Sequence, residues 1–539
     1  GNGIFVSGNN VLIENNIVKQ TGFNGIHFNG NNISIKNNLI QKFCLLKNDC
    51  GGIYTFGGNT VTNFSNRVIE SNIIIDGFAT NYGTPNYAKQ NHHPQGSGIF
   101  LDDNVNNVSL IKNTIANTTY SGLKASNVFN VSVKDNTFFN SYVQALVGNS
   151  ERGTDTRNVT FSSNILFSKH TDQHSYYINS YKDDIPSFGT FESNYFARPL
   201  GDNHSIYLSY YKDNKKYMEI KDLNNWKSTF NKDKTSVTFI QDEFKQFSLK
   251  SFIGELLYDN LSFLTGINNF NCNDCTQSWD SNGILSGSIK INSPGYSSAL
   301  ARIRSVEKSK TYVAKFKAKS NKTGNLRVVL RYAGTPWEIV SPATVVELGT
   351  EAKEYSVLLK PYANVSEPVI MFISDVGNWE YWIDDLEIRE ADVEITDPDN
   401  VFLFEYNATK SKKSISLDGT FKDVKGVSYT GSYQIEPYSS AILVRTSEAT
   451  PPPPVSKPDI QQEVKITTPS SNSSFELGEK IELIAEVTPN QDNISKVAFY
   501  NGNQLIGNAS EQPYKLSWGN GDAGNHQITA IVVNNNNTT

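Results

Sequence analysis

VLIENNIV (11–18), ISIKNNLI (33–40), RVIESNIII (67–75), VSLIKNTI (108–115), VSVKDNTFF (131–139), VTFSSNILF (159–167) and GTFESNYF (189–196) are one phrase written seven times. In each, apolar residues alternate and then meet an asparagine: Asn16, Asn38, Asn72, Asn113, Asn136, Asn164 and Asn194. At the tightest spacing, 22 residues separate Asn16 from Asn38 and 23 separate Asn113 from Asn136. A period that short is one turn of a parallel β-solenoid, too short for a helical-hairpin repeat. Stacked coils set like residues on like residues, so each Asn can bond the next Asn or the turn backbone. A single buried amide left unpaired costs roughly 1–3 kcal/mol, and a row removes that penalty by pairing its members.

A chain of 539 residues exceeds one ordinary domain. Net charge is −6, and charged residues make up 19%, below the roughly 25% of average soluble domains. No basic patch interleaved with aromatics suggests nucleic acid, and no apolar run approaches the ~20 residues that span a membrane. The expected partner is therefore neither, and a monomer is expected. The four cysteines form two close pairs, Cys44 with Cys50 and Cys272 with Cys275. They suit two local disulfides, or free thiols, rather than zinc, which needs four ligands. Disulfides would fit an oxidising compartment. Residue 1 falls inside a repeat, GNGIFVSGNNVLIENN. Since solenoids need capped ends, further coils and any export signal are expected to precede it.

The repeat occupies residues 1–226, with insertions forming loops near 44–51 and 79–97. Residues 227–266 read as a cap and connector. From 267 to 392 the pattern becomes alternating strands between turns (SGSIKINS, TYVAKFKAKS, NLRVVLRYAG, YWIDDLEIRE), which predicts a β-sandwich. A small β unit covers 395–446. A proline-rich linker, 447–462, contains PPPPVSKPD and should be a stiff spacer. Residues 463–539 hold another short sandwich. The fold class is thus all-β, a parallel β-helix followed by β-sandwich modules.

The Asn phrase, with the Gly-apolar strands described below, resembles the right-handed parallel β-helix proteins that include many glycoside hydrolases and polysaccharide lyases. Residues 267–392 look like a jelly-roll carbohydrate-binding module, with WEYWIDDLEI as the matching strand. That resemblance implies a structural calcium near Asp384 or Asp385; no cofactor is expected to be required. VAFYNGNQLIG, within 463–533, is similar to bacterial immunoglobulin-like repeats appended to secreted enzymes. The 395–446 unit resembles the small β domain found behind secreted bacterial β-helix proteins. Together they imply an exported, carbohydrate-active protein whose partner is a polysaccharide, located extracellularly or at the cell surface. Each likeness concerns fold, and function must be argued from a site.

Strand parity locates that site, because alternate residues face opposite sides. The Gly-apolar strands are NGIFVSG, NGIHFNG, GGIYTFG, SGIFLDD, SGLKASN and QALVGNS. Ile4, Ile26, Ile53, Ile99, Leu123 and Leu146 are expected inward, followed two residues on by Val6, Phe28, Thr55, Leu101, Ala125 and Gly148. The first outward row is then Phe5, His27, Tyr54, Phe100, Lys124 and Val147. The second is Ser7, Asn29, Phe56, Asp102, Ser126 and Asn149. Asp103 falls in a row with Gly8, Gly30, Gly57, Asn127 and Ser150, types that favour tight turns, so it reads as a turn residue or a site residue.

Asp102 stands beside Tyr54 and Lys124 in adjacent coils. His27 is expected three coils away, about 14 Å at sheet spacing, within one sugar-binding groove. His92 and His93, from the loop before SGIFLDD, could fold over the same face. Outward Tyr54, Phe56 and Phe100 suggest sugar stacking, and in the sandwich Trp337, Trp379 and Trp382 are further candidates. Asp102 with Asp103, Asp49 or another carboxylate would suit a glycosidase, which uses two carboxylates. A lyase would instead need Lys124, His27 or Tyr54 as base, with cations to stabilise the resulting anion. Lys124 is the lone cation in the outward rows, which favours hydrolysis. The expected function is a glycoside hydrolase working in a cleft on the outer face. Alternatives are a lyase on that face and a non-catalytic polysaccharide-binding adhesin.

Overall fold

The computed structural model describes residues 1–534 except 81–92, 202–203, 214, 240–243, 259–261, 265, 268, 286, 447–462, 472, 489–493, 503, 520–523 and 525. Two compact units are present, Gly1–Thr450 and Pro451–Thr539. The first begins with a parallel β-helix. Its first sheet runs from Ile4–Ser7 through Ile26–Asn29, Cys50–Phe56, Gly96–Asp102, Ser121–Ser126, Val143–Gly148 and His174–Asn179 to Ile206–Lys212. The second sheet holds the strands that precede the repeated Asn residues, and the third holds those that follow.

The asparagine row forms as the sequence demands. Asn38 Oδ1 accepts from Asn16 Nδ2 at 3.0 Å, and the amides hand on through Asn72, Asn113, Asn136 and Asn164 to Asn194. Each Oδ1 also takes the backbone N–H of the Asn one coil earlier. The residue before each Asn adopts the left-handed conformation, φ between 51° and 59°, which turns the side chain inward. No glycine is needed there, since several buried hydrogen bonds hold each turn. The row ends on Asp233, whose carboxylate accepts from Asn194 and from the Trp226 indole. Trp226 belongs to the helix Leu223–Phe230, which closes the coil by burying Leu223, Trp226 and Phe230. Asp222 caps its N-terminus by accepting from Asn225 N–H.

The sandwich packs a sheet containing Ser288–Ser293, Tyr312–Ser320 and Trp379–Ile395 against a five-stranded sheet, Phe270–Asn273, Ser297–Arg302, Pro368–Ser374, Gly324–Tyr332 and Thr344–Leu348. The five-stranded sheet is buried on both faces. One face supplies Leu326, Val328, Ile370 and Phe372 to the sandwich core. The other carries Leu300, Val329, Val369, Met371 and Ile373, which are also buried. On that second face Arg327 influences Tyr207 of the solenoid, while Asp375 feels Lys221 and Glu219. This face therefore lies against the late coils of the first sheet. PVIMFIS (368–374) reads as a continuous apolar run for that reason.

The small β unit packs Phe402, Ile442 and Val444 onto Ile73, Ile75, Ala116 and Phe167 of the third sheet. Phe404 stacks on Phe139 at 4.4 Å. The second unit is a pair of three-stranded sheets around Leu483, Ala485, Val497 and Phe499. Trp518 packs partly buried against this core. Cys44–Cys50 and Cys272–Cys275 are disulfides. Among the described residues no helix is long and apolar enough to cross a membrane.

Candidate functional site

Five coils of the first sheet place their outward residues as parity requires: Phe5 beside His27, then Tyr54, Phe100 and Lys124. The sixth coil is one residue out of phase with the sequence reading. Lys124 pairs with Leu146 and Ala125 with Val147, so Leu146 faces outward and Val147 inward. Gly148, rather than Asn149, lies beside Ser126. QAL has no glycine to anchor its phase, and small Ala145 takes the inward place that Ile or Leu holds elsewhere.

Along the row the rings of Phe5, His27, Tyr54 and Phe100 meet edge to face, with centroids 4.9, 4.8 and 5.2 Å apart. These spacings follow the ~4.8 Å separation of strands. His27 is two ladder steps from the Asp102 coil rather than three, about 10 Å at that spacing. Burial lowers the His27 pKa, which keeps its imidazole neutral near pH 7.

Phe100 departs from expectation. It faces outward but is only 1% exposed. The Lys124 ammonium lies 4.0 Å above its ring and reaches on to Asp49 Oδ1 at 2.8 Å and Gln95 Oε1 at 3.0 Å. Phe100 is thus the base on which the lysine rests, and no sugar can stack there. Asp49 comes from the loop closed by Cys44–Cys50, immediately before the Tyr54 strand.

Asp102 is the junction of the site. Its Oδ2 accepts from the Tyr54 hydroxyl at 2.9 Å, and its Oδ1 accepts from the Asp103 backbone N–H at 2.9 Å. Burial pushes the Tyr54 hydroxyl far above its usual range, and the Asp102 charge adds to the effect. Burial also pushes the Asp103 carboxyl up, reinforced by Asp102 and opposed by Arg152 and Lys124. The turn itself is made by Asn104 and Asn127, at φ 66° and 54°. Asp103 does not take the left-handed conformation, and its side chain is half-buried. Two adjacent carboxyl groups in unequal surroundings can divide acid and base roles between them.

Other candidates do not join this group. Asn29 commits its Oδ1 to the Gly30 N–H at 3.0 Å, shaping the turn. His92 lies outside the described residues. His93 stacks on Tyr142 at 3.6 Å, before the start of the strand Val143–Gly148. Asp102 ends its own strand, so the two occupy opposite edges of the sheet. Gln95 and Arg152 sit in loops, where parity carries no information, so the outward rows do not contain them.

In the sandwich, Trp379 is 1% exposed and donates its indole N–H to the Lys322 carbonyl at 2.9 Å. It shares the parity of Tyr381 and Ile383 and is core, not a sugar platform. Trp382 faces out, half-buried, with its N–H on Asp280 at 2.7 Å and the Lys290 and Lys319 ammoniums 5.1 and 5.3 Å from its ring. Trp337 is 56% exposed, with the Arg331 guanidinium 5.0 Å from its ring.

For calcium the two aspartates differ. Asp384 is buried, its Oδ2 has no hydrogen-bond partner, and burial raises its carboxyl pKa to about 6, so it fits one ligand position. Asp385 turns away at φ 47° and pairs with Lys317 at 2.8 Å, which removes it from the ligand set. Among the described residues no third His, Cys, Asp or Glu joins them, so further ligands would be backbone or side-chain carbonyl oxygens, hydroxyls or water.

Residues 463–530 match the family model of the bacterial Ig domain. No curated protein matches the chain. Solved structures similar to it include an arabinose-bound α-L-arabinofuranosidase, 13% identical, covering 26% of this chain and 27% of that one, TM-score 0.23. A family 11 carbohydrate-binding module from Clostridium thermocellum is 11% identical over 26% of this chain and 97% of that one, TM-score 0.22. The xylan-binding domain of a Paenibacillus barcinonensis protein is 11% identical over the same shares, TM-score 0.22. The match thus spans about a quarter of the arabinofuranosidase.

Proposed function

We propose that the protein is an exported polysaccharide-degrading enzyme, a glycoside hydrolase whose cleft is the outer face of the β-helix around Asp102. One observation carries this reading. Asp102, held by Tyr54, adjoins a second carboxyl, Asp103, whose pKa is raised by burial and by that same neighbour. In this scheme Asp103 keeps a proton and donates it to the leaving oxygen. Asp102 acts as base or nucleophile on the other side of the bond. Lys124 has its amine engaged by Asp49 at 2.8 Å and Gln95 at 3.0 Å, which leaves it poorly placed for the base role a lyase needs. Tyr54, with its hydroxyl pKa pushed upward, is equally poor as a base.

Export is supported by two disulfides, which persist in oxidising compartments. The reading includes a polysaccharide partner, a monomeric chain and a structural calcium on Asp384. Its test is digestion of a polysaccharide panel with reducing ends as readout, beside Asp102→Asn. Equal turnover by both proteins would remove Asp102 from the mechanism, and product carrying a conjugated double bond would replace hydrolysis by elimination.

A further inference from the structure

The outward row of the first sheet changes character along the coils. Phe5 is 61% exposed, and His27 and Tyr54 after it are half-buried. Beyond Lys124 the same row continues through Leu146, Tyr177 and Tyr207. Leu146 faces outward yet is only 4% exposed. Something therefore stands over the later coils.

The sandwich is at that place. Tyr207 lies within electrostatic reach of Arg327 and Tyr296, and Tyr142, just before the Leu146 strand, within reach of Tyr362. Asp375 senses Lys221 and Glu219 in the same way. The sandwich face that carries Val329, Met371 and Ile373 is buried. Two ladder steps, about 10 Å, separate the Asp102 strand from the Leu146 strand. In the other direction the row stays open for three steps, about 14 Å, through Tyr54 and His27 to Phe5. Across the strands the space is bordered too. Asp49 and Gln95, held by Lys124, flank the beginning of the strands, and Arg152 acts on Asp103 at their ends. A bound chain is thereby directed along the coils, with Asp102 near the closed end.

We propose that the sandwich is the end wall of the solenoid cleft and restricts cleavage to the ends of the polysaccharide; the inference rests on the hydrolase reading above. The polymer lies over the Tyr54, His27 and Phe5 coils. The piece beyond the cleaved bond must fit between Asp102 and the wall. An internal segment of a long chain would have to continue into packed side chains, which have the density of a protein interior and leave no room for a sugar. Attack at chain ends releases a short product of fixed length, whereas attack at internal bonds gives a broad spread.

The test uses the full chain on arabinoxylan, mixed-linkage β-glucan and polygalacturonate, with products sized by mass spectrometry and viscosity followed beside reducing ends. One product length should dominate from the earliest time points. Halving the viscosity should take at least tenfold more new ends than random acid cleavage of the same polymer. Met371→Asp, which loosens the sandwich from the solenoid, should keep cleavage and spread the products over many lengths. A broad ladder of products from the parent overturns the wall and leaves hydrolysis standing. Where trypsin shows the sandwich loosened in Met371→Asp, an unchanged product length overturns it as well. The parent's products decide the question if that variant does not fold. New reducing ends from none of the three polymers would instead remove the hydrolase reading, and the wall's role with it.

Discussion

Asn113→Ala tests the solenoid where its energetics are most concentrated. Asn113 is 1% exposed in the middle of the row. Its Oδ1 accepts both the Asn72 backbone N–H at 3.0 Å and the Asn72 amide at 2.9 Å. Its Nδ2 donates to the Ile69 carbonyl and to Asn136 Oδ1. Truncation leaves the buried Asn72 N–H with no acceptor, costing about 1–3 kcal/mol, while each lost donor bond costs roughly 0.5–1.5 kcal/mol. The expected loss is about 2–6 kcal/mol. Each kcal/mol moves the melting point of a domain of 150–250 residues, the size of the solenoid, by roughly 2–4 °C, so calorimetry should show a fall of about 4–24 °C. Asn16→Ala is the internal control. It stands at the exposed end of the same row, and its Oδ1 receives no bond from another Asn of the row. Its two donor bonds, to the Glu14 carbonyl and Asn38 Oδ1, lie where water can replace them, so its cost should stay below about 1 kcal/mol. Equal falls for the two variants would show that the row does not act through buried pairing.

Three further outcomes follow from the same structure. On the proposed mechanism Asp103 is the acid, so kcat/KM should fall as pH rises through its folded-state pKa; because Arg152 lowers that pKa, Arg152→Gln should shift the alkaline limb to higher pH, and a shift to lower pH would contradict the assignment. Asp384 has its folded pKa raised to about 6 from 3.8, so its contribution to stability is complete below about pH 4 and is lost as pH rises through about 6. Asp384→Asn should flatten this dependence in melts with EDTA; calcium at pH 7 should raise the parent's melting point and leave the variant's unchanged, and no response in the parent removes calcium from Asp384. Met371→Asp puts a charge on the sandwich face that meets the solenoid, and trypsin should then separate the two severalfold faster, with an unchanged rate refuting the packing.

The sequence by itself determined the solenoid, because its information is local and periodic. Seven Asn phrases and a two-residue alternation suffice to say which side chains stack and which face outward, and hydrogen bonds between coils enforce that choice one by one. It also brought Tyr54 beside Asp102, since neighbours in a parallel ladder follow from register alone. The phase slipped where QAL lacks the glycine that marks each coil.

Tertiary structure alone decided what parity cannot express. Lys124 points outward as read, yet its long chain folds across Phe100 to a carboxylate held by a disulfide loop, so an outward ring became a buried one. His93 and Asp102 come from one segment but emerge at opposite edges of the sheet. The second buried face of the sandwich depends on a surface contributed by distant residues, and only the folded chain could show which of its faces a sugar can reach. Side-chain length, loop closure and packing between modules are three-dimensional quantities, and a one-dimensional pattern does not contain them.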